Sequence, residues 1–505
     1  MKKLLFAIFT LFPTMAFAQN AGLDDRISEW VEPVAKFVSG YIFYEINIAG
    51  TPFPIIVIWL LTGAIFFTVY MWFINFRGFR IAIQIVKGCY DDPNDKGEVS
   101  HFQALATALS GTVGLGNIAG VAVAISKGGP GATFWMILAG LLGMTSKFVE
   151  CTLGVKYRRI DTEGTVSGGP MYYLQDGLSK KGWPLAGKVM GVLFAILCIG
   201  GSFGGGNMFQ GNQAATQLVN ITGGPDGLIG SKFWVGLIMA VFVGIVIIGG
   251  VKSIARVTEK IVPFMCGIYM LAGLVILGAF YEKIPGTFYL IFKGAFNPDA
   301  VYGGVLGVLV LGFVRASFSN EAGVGSASIA HSAVKTNEPV SEGLVSLLEP
   351  FIDTVIVCTV TALVIIITDT SGAGLVANDN TAKGIAMTSL AFGKVISWFP
   401  YVLAVAVVLF AFSTMISWSY YGLKAWTFLF GEGKLADLSY KFIFCVFVVI
   451  GATMSLGSVI DFSDAMIFAM SFPNMLAMYI FSREVKDDLA SFLRRIKSGE
   501  IKKFK

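Results

Sequence analysis

Long apolar segments, separated by short polar stretches, dominate the pattern of hydrophobic and polar positions along the chain. Each is close to the roughly 20 residues that an α-helix needs to cross a bilayer. Because the pattern yields about eleven such segments, an odd number, we expect the two ends of the chain to lie on opposite sides of a membrane. The predicted spans are residues 55–76, 104–126, 132–154, 189–219, 233–251, 261–280, 301–333, 344–368, 396–424, 442–459 and 465–482.

The composition supports this all-α, polytopic membrane class. Hydrophobic residues make up 55% of the 505 residues and charged residues 14%, with a mean hydropathy of +0.73. A soluble domain carries about 25% charged residues, so this chain has too few charges to cover a surface in contact with water. The same hydropathy excludes intrinsic disorder. The net charge of +5 is small and gives no reason to expect nucleic-acid binding.

The N-terminus has the three parts of a secretory signal peptide. Lys2 and Lys3 precede a short apolar run at 4–12, and Ala16-Phe17-Ala18 forms an A-x-A cleavage site. We predict a cleaved signal peptide at 1–18, followed by a periplasmic N-terminal segment at 19–54. The alternative is an uncleaved first helix, for which the apolar run is short.

The distribution of lysine and arginine predicts the orientation. These residues concentrate on one set of loops, and the C-terminal tail at 483–505 is strongly basic. The positive-inside rule therefore places the C-terminus in the cytoplasm and the mature N-terminus outside. Together with the signal peptide, this predicts a multi-pass protein of a bacterial inner membrane.

Two apolar spans are interrupted by glycine-rich polar motifs. The second span contains residues 110–120, SGTVGLGNIAG, and the seventh contains residues 317–326, SFSNEAGVGS. The seventh span is the fifth one after the second, an odd offset, so the two motifs run in opposite directions. We predict two inverted repeats, at 104–280 and 301–482, preceded by one extra helix at 55–76. Paired broken helices in inverted halves mark the binding site of a secondary transporter.

A helix broken inside the membrane leaves main-chain amides unpaired on one side of the break and carbonyls on the other. The amides suit a carboxylate, and the carbonyls suit a small cation such as sodium. The segment from Ser110 to Asn117 can therefore bind a zwitterionic substrate beside a coupling ion. The alternative is helix packing through its small residues, which would not require Thr112 and Asn117 among them.

Other polar residues lie within the predicted spans. Glu321, beside Asn320, has two open roles, organising the unwound backbone or carrying a proton, of which we favour the first. Ser413 and Thr414 offer adjacent hydroxyls that become cation ligands if they face the carbonyls of a break. The remaining candidates are Gln210 as a buried amide, Phe203 as a pocket wall, Lys147 with Glu150 as an ion pair, and Asp353 as a gate or backbone cap.

Several function classes are excluded by what the sequence lacks. There is no HExxH motif for an intramembrane metalloenzyme and no P-loop for ATP-driven transport. The chain has two histidines and six scattered cysteines, so we expect no metal cofactor or disulfide framework. We predict that the protein is not an enzyme and needs no cofactor. A channel or a ligand sensor on the same fold remains a second class.

Seven motifs together resemble the alanine or glycine:cation symporter family. The resemblance covers nearly the whole chain after the signal peptide. The motifs are GTVGLGNIAGVA (111–122), GGPGATFWM (128–136), KFVE (147–150), SGGPMYYL (167–174), GNMFQ (206–210), SNEAGVGSA (319–327) and SWSYYG (417–422). The family implies the five-plus-five inverted-repeat fold of the bacterial leucine transporter, with two broken helices.

The resemblance also implies roles for individual residues. The amides of Leu115 and Gly116 would face the substrate carboxylate, beside Asn117. The sodium ligands would be the carbonyls of Ser110, Val113 and Phe410 and the hydroxyls of Ser413 and Thr414. The family's pocket residues correspond to Phe203, Gln210, Thr414 and Trp418, so Thr414 is claimed by both sites.

The function that the resemblance implies is sodium-coupled import of a small neutral amino acid, alanine or glycine. Proton coupling and a preference for glutamine are the alternatives within the transporter class. We expect the partners to be the amino acid, the sodium ion and the lipid bilayer, with no nucleic acid and no obligate protein partner.

Overall fold

A computed structural model describes residues 33, 36–48, 51–162, 164–297, 304–369 and 384–504 of the chain. The predicted signal peptide lies outside these residues, as does half of the predicted periplasmic segment at 19–54. The described chain is mostly helical, and its long helices follow the predicted spans. They are α1 (Ile55–Tyr70), α2a (His101–Thr112) and α2b (Gly116–Gly128), α3 (Ala132–Lys156), α4 (Pro184–Ile221), α5 (Lys232–Ile247), α6 (Gly250–Ala279), α7a (Gly304–Asn320) and α7b (Ala327–His331), α8 (Pro339–Thr368), α9 (Phe399–Phe430), α10 (Lys434–Thr453) and α11 (Leu456–Ser498).

The remaining elements are short. Strand Glu45–Ile48 pairs antiparallel with Thr51–Pro54 before α1, and Arg159–Ile160 pairs with Val166–Ser167 after α3. Short helices connect the long ones, namely Ile74–Arg77, Phe79–Val86, Pro170–Tyr172, Tyr173–Gly177, Leu178–Lys180, Gly224–Asp226, Tyr281–Lys283, Ile284–Ala295 and Ile385–Gly393.

Within the described residues, seven helices are long and apolar enough to cross a membrane, or eight if α2a and α2b form one bent span. The helices α1, α5 and α7a are also apolar but shorter. They coincide with three of the predicted spans. The multi-pass class is therefore confirmed, whereas the number of eleven spans and the inverted repeat stay predictions.

Local sequence signals explain where the helices begin and end. Ser100 and Gln103 form a reciprocal capping box at the start of α2a, with main-chain-to-side-chain bonds of 3.1 and 3.2 Å. Proline stands in the first turn of α4, α8 and α9, where its missing N–H costs nothing. Gly431 ends α9 with a φ of 90° that suits glycine.

Both predicted interruptions are present. The two halves of α2 are bent by 48° across residues 113–115, and α7 is interrupted between Asn320 and Ala327. In the second break Glu321 has a φ of 54°, a left-handed conformation that costs a side-chain-bearing residue about 1–3 kcal/mol. Such strain is typical of functional sites and requires fixed partners for the side chain.

Arg158 joins the segments that flank the two broken helices. Its guanidinium donates four hydrogen bonds of 2.5–2.9 Å to main-chain carbonyls. One of these carbonyls belongs to Lys96, before α2a, and the others belong to residues 332–336, after α7b. Val99 and Val334 also pair as an isolated bridge. The ends of α2a and α7b that lie away from the breaks are thereby held together.

The predicted orientation can be tested at two exposed positions. Leu228 is 93% exposed between α4 and α5, and Ser498 is exposed at the end of α11. In intact spheroplasts, we expect a membrane-impermeant thiol reagent to label Leu228→Cys but not Ser498→Cys, because only the first lies outside by the positive-inside rule. Permeabilised cells provide the control, in which both should react. Labelling of Ser498→Cys in intact cells would reverse the orientation.

Candidate functional site

Every residue predicted for the site is buried. Thr414 and Trp418 are 1% exposed and Gln210 is 4% exposed. Because the residues come from α2, α4, α7 and α9, the fold gathers four helices around the breaks. The breaks are therefore closed to solvent in this conformation, and a ligand needs a change of conformation to reach them.

The predicted cation ligands lie together between α2a and α9. The hydroxyl of Thr414 donates to the Ser110 carbonyl at 2.9 Å, and the Ser110 hydroxyl donates to the Ser413 carbonyl at 2.6 Å. The Ser413 hydroxyl donates to the Phe410 carbonyl at 3.0 Å. Val113 follows at the end of α2a, where the helix stops. Hydroxyl and carbonyl oxygens from two helices thus converge without a formal charge, as a site for a small monovalent cation requires.

The main-chain amides of the first break lie beside these oxygens. The Leu115 N–H donates to Oε1 of Gln210 at 3.2 Å, so a side-chain oxygen holds the position predicted for the substrate carboxylate. A Cβ on Gly114 would lie 2.6 Å from the Thr414 hydroxyl. The Thr414 hydroxyl therefore lies close to the main chain of the first break. Gly114 has to be glycine because the backbone passes so close to the hydroxyl.

Asn117 holds the first break rather than pointing away from it. Its side-chain oxygen accepts from the Gly114 N–H at 2.8 Å, and its amide donates to the Asp353 carboxylate at 2.6 Å. The same carboxylate group accepts from Ser319 at 3.2 Å and from Thr354 at 2.6 Å. Asp353 in α8 thus connects the first break with the end of α7a. Its role as a gate or as a backbone cap stays a prediction.

The second break is held by Asn320 and Glu321. Asn320 Oδ1 accepts from the Ala322 N–H at 3.0 Å, and its amide donates to Thr354 at 2.9 Å. The Glu321 carboxylate accepts from the Ser326 hydroxyl across the break and from the Trp418 indole at 3.0 Å. These are the contacts that an organising role requires. The roles of both residues stay predictions.

Trp418 packs against a glycine-rich segment of α4. A Cβ on Gly206 would lie 2.2 Å from Cγ of Trp418 and 2.3 Å from its Cβ, so only glycine permits this approach. Residues Gly204–Met208 form a π-helical turn, a feature frequent at functional sites. Trp418 therefore connects α4 with the second break.

The ring of Phe203 lies among the aromatic residues of α10. It stacks on Phe447 with a centroid distance of 4.5 Å and lies 5.7 Å from Tyr440. The ring nearest to Gly116 belongs to Phe318, whose Cδ1 would lie 3.6 Å from a Cβ on Gly116. The Phe203 wall stays a prediction, and Phe318 becomes the stronger candidate for it.

A buried ion pair lies beside the ring of Phe318. Arg315 and Asp464 form a salt bridge between α7a and α11, and both side chains are 7% exposed. The Arg315 guanidinium lies 5.4 Å from the centre of the Phe318 ring. Phe209 packs edge-to-face on the same ring at 5.3 Å. Arg315, Phe318, Phe209 and Asp464 were not singled out from the sequence, although the charged Arg315 inside a predicted span was an available signal.

Comparison with known proteins identifies the family of the chain. The sequence model of the sodium:alanine symporter family matches residues 40–505. A sodium/alanine symporter, AgcS of Methanococcus maripaludis, is 39% identical over 452 residues, which cover 89% of this chain and 96% of that protein. A probable sodium/glutamine symporter, GlnT of Bacillus subtilis, is 34% identical over 88% of this chain and 89% of its own length.

Among solved structures, the crystal structure of MhsT in complex with L-phenylalanine aligns with a TM-score of 0.58 and 16% identity. The alignment covers 76% of this chain and 89% of that one. At this identity the likeness is evidence for the fold alone, and it agrees with the predicted leucine-transporter-like fold.

Broken helices that gather buried ligand groups inside a multi-pass fold define a membrane transport protein rather than an enzyme. The chain belongs to the sodium:alanine symporter family, as the family match over residues 40–505 and the relatives of 34–39% identity show.

Proposed function

We propose that this protein imports a small neutral amino acid, alanine or glycine, together with sodium, by alternating access. The observation that carries the proposal is the convergence of Ser110, Phe410, Ser413 and Thr414 oxygens beside the amides of the first break. We propose the inner membrane of a bacterium as the location, with the C-terminus in the cytoplasm.

Coupling between sodium binding and amino-acid binding follows because the proposed sodium ligands are on two different helices. A sodium ion held by Ser110 and Val113 on α2a and by Ser413 and Thr414 on α9 would join the two elements. The ion lies next to the amides that would bind the carboxylate, so the two ligands attract each other. By linkage, each ligand then raises the affinity for the other by the same factor.

Competition at Leu115 explains how the substrate would engage the site. Gln210 Oε1 accepts from the Leu115 amide in the closed conformation. A carboxylate is a stronger acceptor than a neutral amide oxygen, so the substrate would displace Gln210 from this amide. The released Gln210 side chain remains within reach to bind a polar group of the substrate.

The aromatic residues around the break favour a small substrate side chain. Phe318 lies against Gly116 and Gly205, and Trp418 lies against Gly206. These rings leave little space beyond the carboxylate position. A preference for glutamine is the second candidate, because the relative GlnT is named a probable glutamine symporter. Proton coupling, and a channel or sensor on this fold, remain outcomes of the test.

Uptake by purified protein in proteoliposomes tests the proposal. Labelled alanine, glycine and glutamine are supplied with an inward sodium gradient, an inward proton gradient or neither. We expect alanine or glycine to accumulate against its gradient only with sodium. Accumulation driven by the proton gradient alone would show that the coupling ion is a proton and not sodium. Dissipation of the ion gradient without accumulation of the amino acid would indicate a channel.

Trp418→Ala should change substrate selectivity. The truncation opens space beside Gly206 and removes the hydrogen bond to Glu321, so alanine uptake should fall while a longer neutral amino acid gains relative to it. Discrimination by pocket volume is worth about 1–3 kcal/mol per methylene, so the ratio should change by roughly 10- to 200-fold. Uptake rates for a series from glycine to leucine measure this ratio.

Trp426→Ala is the matched control, because Trp426 is on the same helix and packs on Phe430 and Tyr440. It should leave the ratio unchanged. If Trp418→Ala lowers every amino acid by one common factor, Trp418 is a packing residue and does not line the pocket.

A further inference from the structure

Both histidines of the chain lie in one buried cluster. His101 begins α2a and His331 ends α7b, and the chain contains two histidines in all. Nδ1 of His101 contacts Oε2 of Glu342, and Nδ1 of His331 lies 2.5 Å from Oε1 of the same carboxylate. One glutamate of α8 thus connects the two broken helices.

The cluster continues through a second glutamate to a lysine. Nε2 of His331 lies 3.4 Å from Oε2 of Glu349, and Oε1 of Glu349 lies 3.1 Å from Nζ of Lys147. Lys147 also lies 3.7 Å from Glu150, the ion pair expected from the sequence. His331, Glu342, Glu349, Lys147 and Glu150 are fully buried.

The geometry around His331 requires an additional proton in the cluster. An ionised carboxylate only accepts hydrogen bonds, and a neutral imidazole donates through one nitrogen alone. Because both nitrogens of His331 face carboxylates, the contacts are satisfied only when an additional proton is bound. With both histidines protonated, three cationic groups balance the carboxylates of Glu342, Glu349 and Glu150, as burial of charge demands.

Other titratable or charged groups face the cluster from the elements packed around it. They include acids, bases and weakly acidic side chains of α3, α7, α9 and the flanking loops, namely Asp91, Asp95, Cys151, Arg158, Tyr173, Glu321 and Tyr421. Asp91 lies 3.9 Å from Nε2 of His101, and its side chain is 46% exposed. This residue gives a proton a route between His101 and solvent on the predicted cytoplasmic side.

The cluster has a mechanical role because α2a is a separate segment. The bend of 48° separates α2a from α2b, so α2a can move while α2b stays in place. The contact of His101 with Glu342 attaches the start of α2a to α8 and, through His331, to α7b. Two further bonds attach α2a to α6, one of 2.9 Å from Gln103 to Glu259 and one of 3.2 Å between Thr107 and Thr258. Only the second carries no titratable group.

We propose that His101, Glu342, His331 and Glu349 form a proton-binding site that keeps α2a docked while protonated and releases it on deprotonation. The proposal rests on the proposed function in one respect, since release of α2a is the cytoplasmic opening of the transport cycle. Loss of the proton from His101 makes this imidazole neutral, so its attraction to the Glu342 carboxylate weakens as the pH rises. Because carboxylates face both histidines, the protonated state is favoured and we expect release only at alkaline pH.

Accessibility of α2a at different pH values tests this site. Ala108 is fully buried in α2a, so Ala108→Cys reacts with a thiol reagent only when α2a moves away. Purified protein in nanodiscs is labelled between pH 6 and 9 without sodium or amino acid, and each modified peptide is quantified by mass spectrometry. The rate is divided by that of Ser498→Cys, because thiolate formation itself accelerates labelling at high pH.

We expect the normalised rate to rise with pH, by up to about tenfold per pH unit for each proton released. His101→Gln should give a high rate at all pH values. Asp91→Asn should move the transition to lower pH, because it removes a negative charge beside His101. Thr107→Val is the matched control, which weakens an attachment of α2a without a titratable group and should keep the pH dependence.

A rate that is equal at pH 6 and 9, or a pH dependence that persists in His101→Gln, would overturn the proposal. If the His101 variant does not fold, Asp91→Asn and hydrogen exchange of residues 101–112 in the unsubstituted protein decide the question. Sodium-driven alanine uptake is measured on the same preparations. Normal uptake with a flat labelling profile refutes only the proton site, whereas pH-dependent labelling without sodium-driven uptake refutes only the proposed function.

Discussion

Gly116→Val should abolish uptake of every amino acid that the protein carries, while the protein still folds. A Cβ at this position would lie 3.5 Å from Cα of Ser319 and 3.6 Å from Phe318, which are ordinary contacts. The branched side chain would nevertheless project over the amides of the break, where we propose the substrate carboxylate binds. Losing charge-assisted hydrogen bonds worth about 3 kcal/mol lowers uptake by about a hundredfold or more.

Gly120→Val is the matched control for this substitution. Gly120 lies in the same π-helical segment, and a Cβ there would meet nothing within 4 Å. Its uptake should stay close to that of the unsubstituted protein. Uptake is measured for a small and a large neutral amino acid, with thermal stability measured in parallel. If Gly116→Val leaves uptake of the smaller amino acid unchanged, the substrate carboxylate does not bind at the Gly116 amide.

The double substitution Ser413→Ala and Thr414→Ala should remove most of the sodium dependence. It deletes two of the oxygen ligands that we propose for sodium, and it leaves the Ser110 carbonyl without its bond of 2.9 Å from Thr414. We expect the sodium concentration for half-maximal uptake to rise by about tenfold or more, equivalent to at least about 1.4 kcal/mol. The measurement is alanine uptake against sodium concentration.

Ser417 provides a control on the same helix, one turn further along. Its hydroxyl is buried and, among the residues that the structure describes, has no hydrogen-bond partner. Ser417→Ala should therefore leave sodium activation unchanged. Unaltered sodium activation in the double variant would show that the cation binds elsewhere.

The two breaks were predictable because their signals are local. Glycines beside Thr112 and Asn117, and beside Asn320 and Glu321, interrupt apolar runs that would otherwise continue as helix. Several of the predicted ligands also lie together, because the Thr414 hydroxyl and the Ser413 carbonyl both meet Ser110 of α2a. The start of α10 was less predictable, since Lys434 to Lys441 is polar yet helical and lies before the predicted span.

Contacts between distant segments were not predictable from local patterns. His101 and Glu342 are 241 residues apart and meet only in the folded chain. The neighbour of Gly116 was likewise hidden, because both Phe203 and Phe318 precede a glycine-rich motif and the sequence alone does not say which ring turns inward. The salt bridge of Arg315 with Asp464 needs the register of α7a against α11, which periodicity does not give.

Because α11 is long, the position of its C-terminal end is sensitive to movements of the helix inside the membrane. Its 43 residues, with Pro473 in the interior, form one helix about 65 Å long at about 1.5 Å per residue, roughly twice the hydrocarbon thickness of about 30 Å. Beyond the membrane it is attached to α3 through Lys156 and Asp488, at 2.5 Å, and to the start of α8 through Arg495 and Glu338. A slight tilt of these helices at mid-membrane therefore becomes a much larger displacement of Ser498. A spectroscopic label there would amplify rocking movements that are too small to resolve beside the breaks.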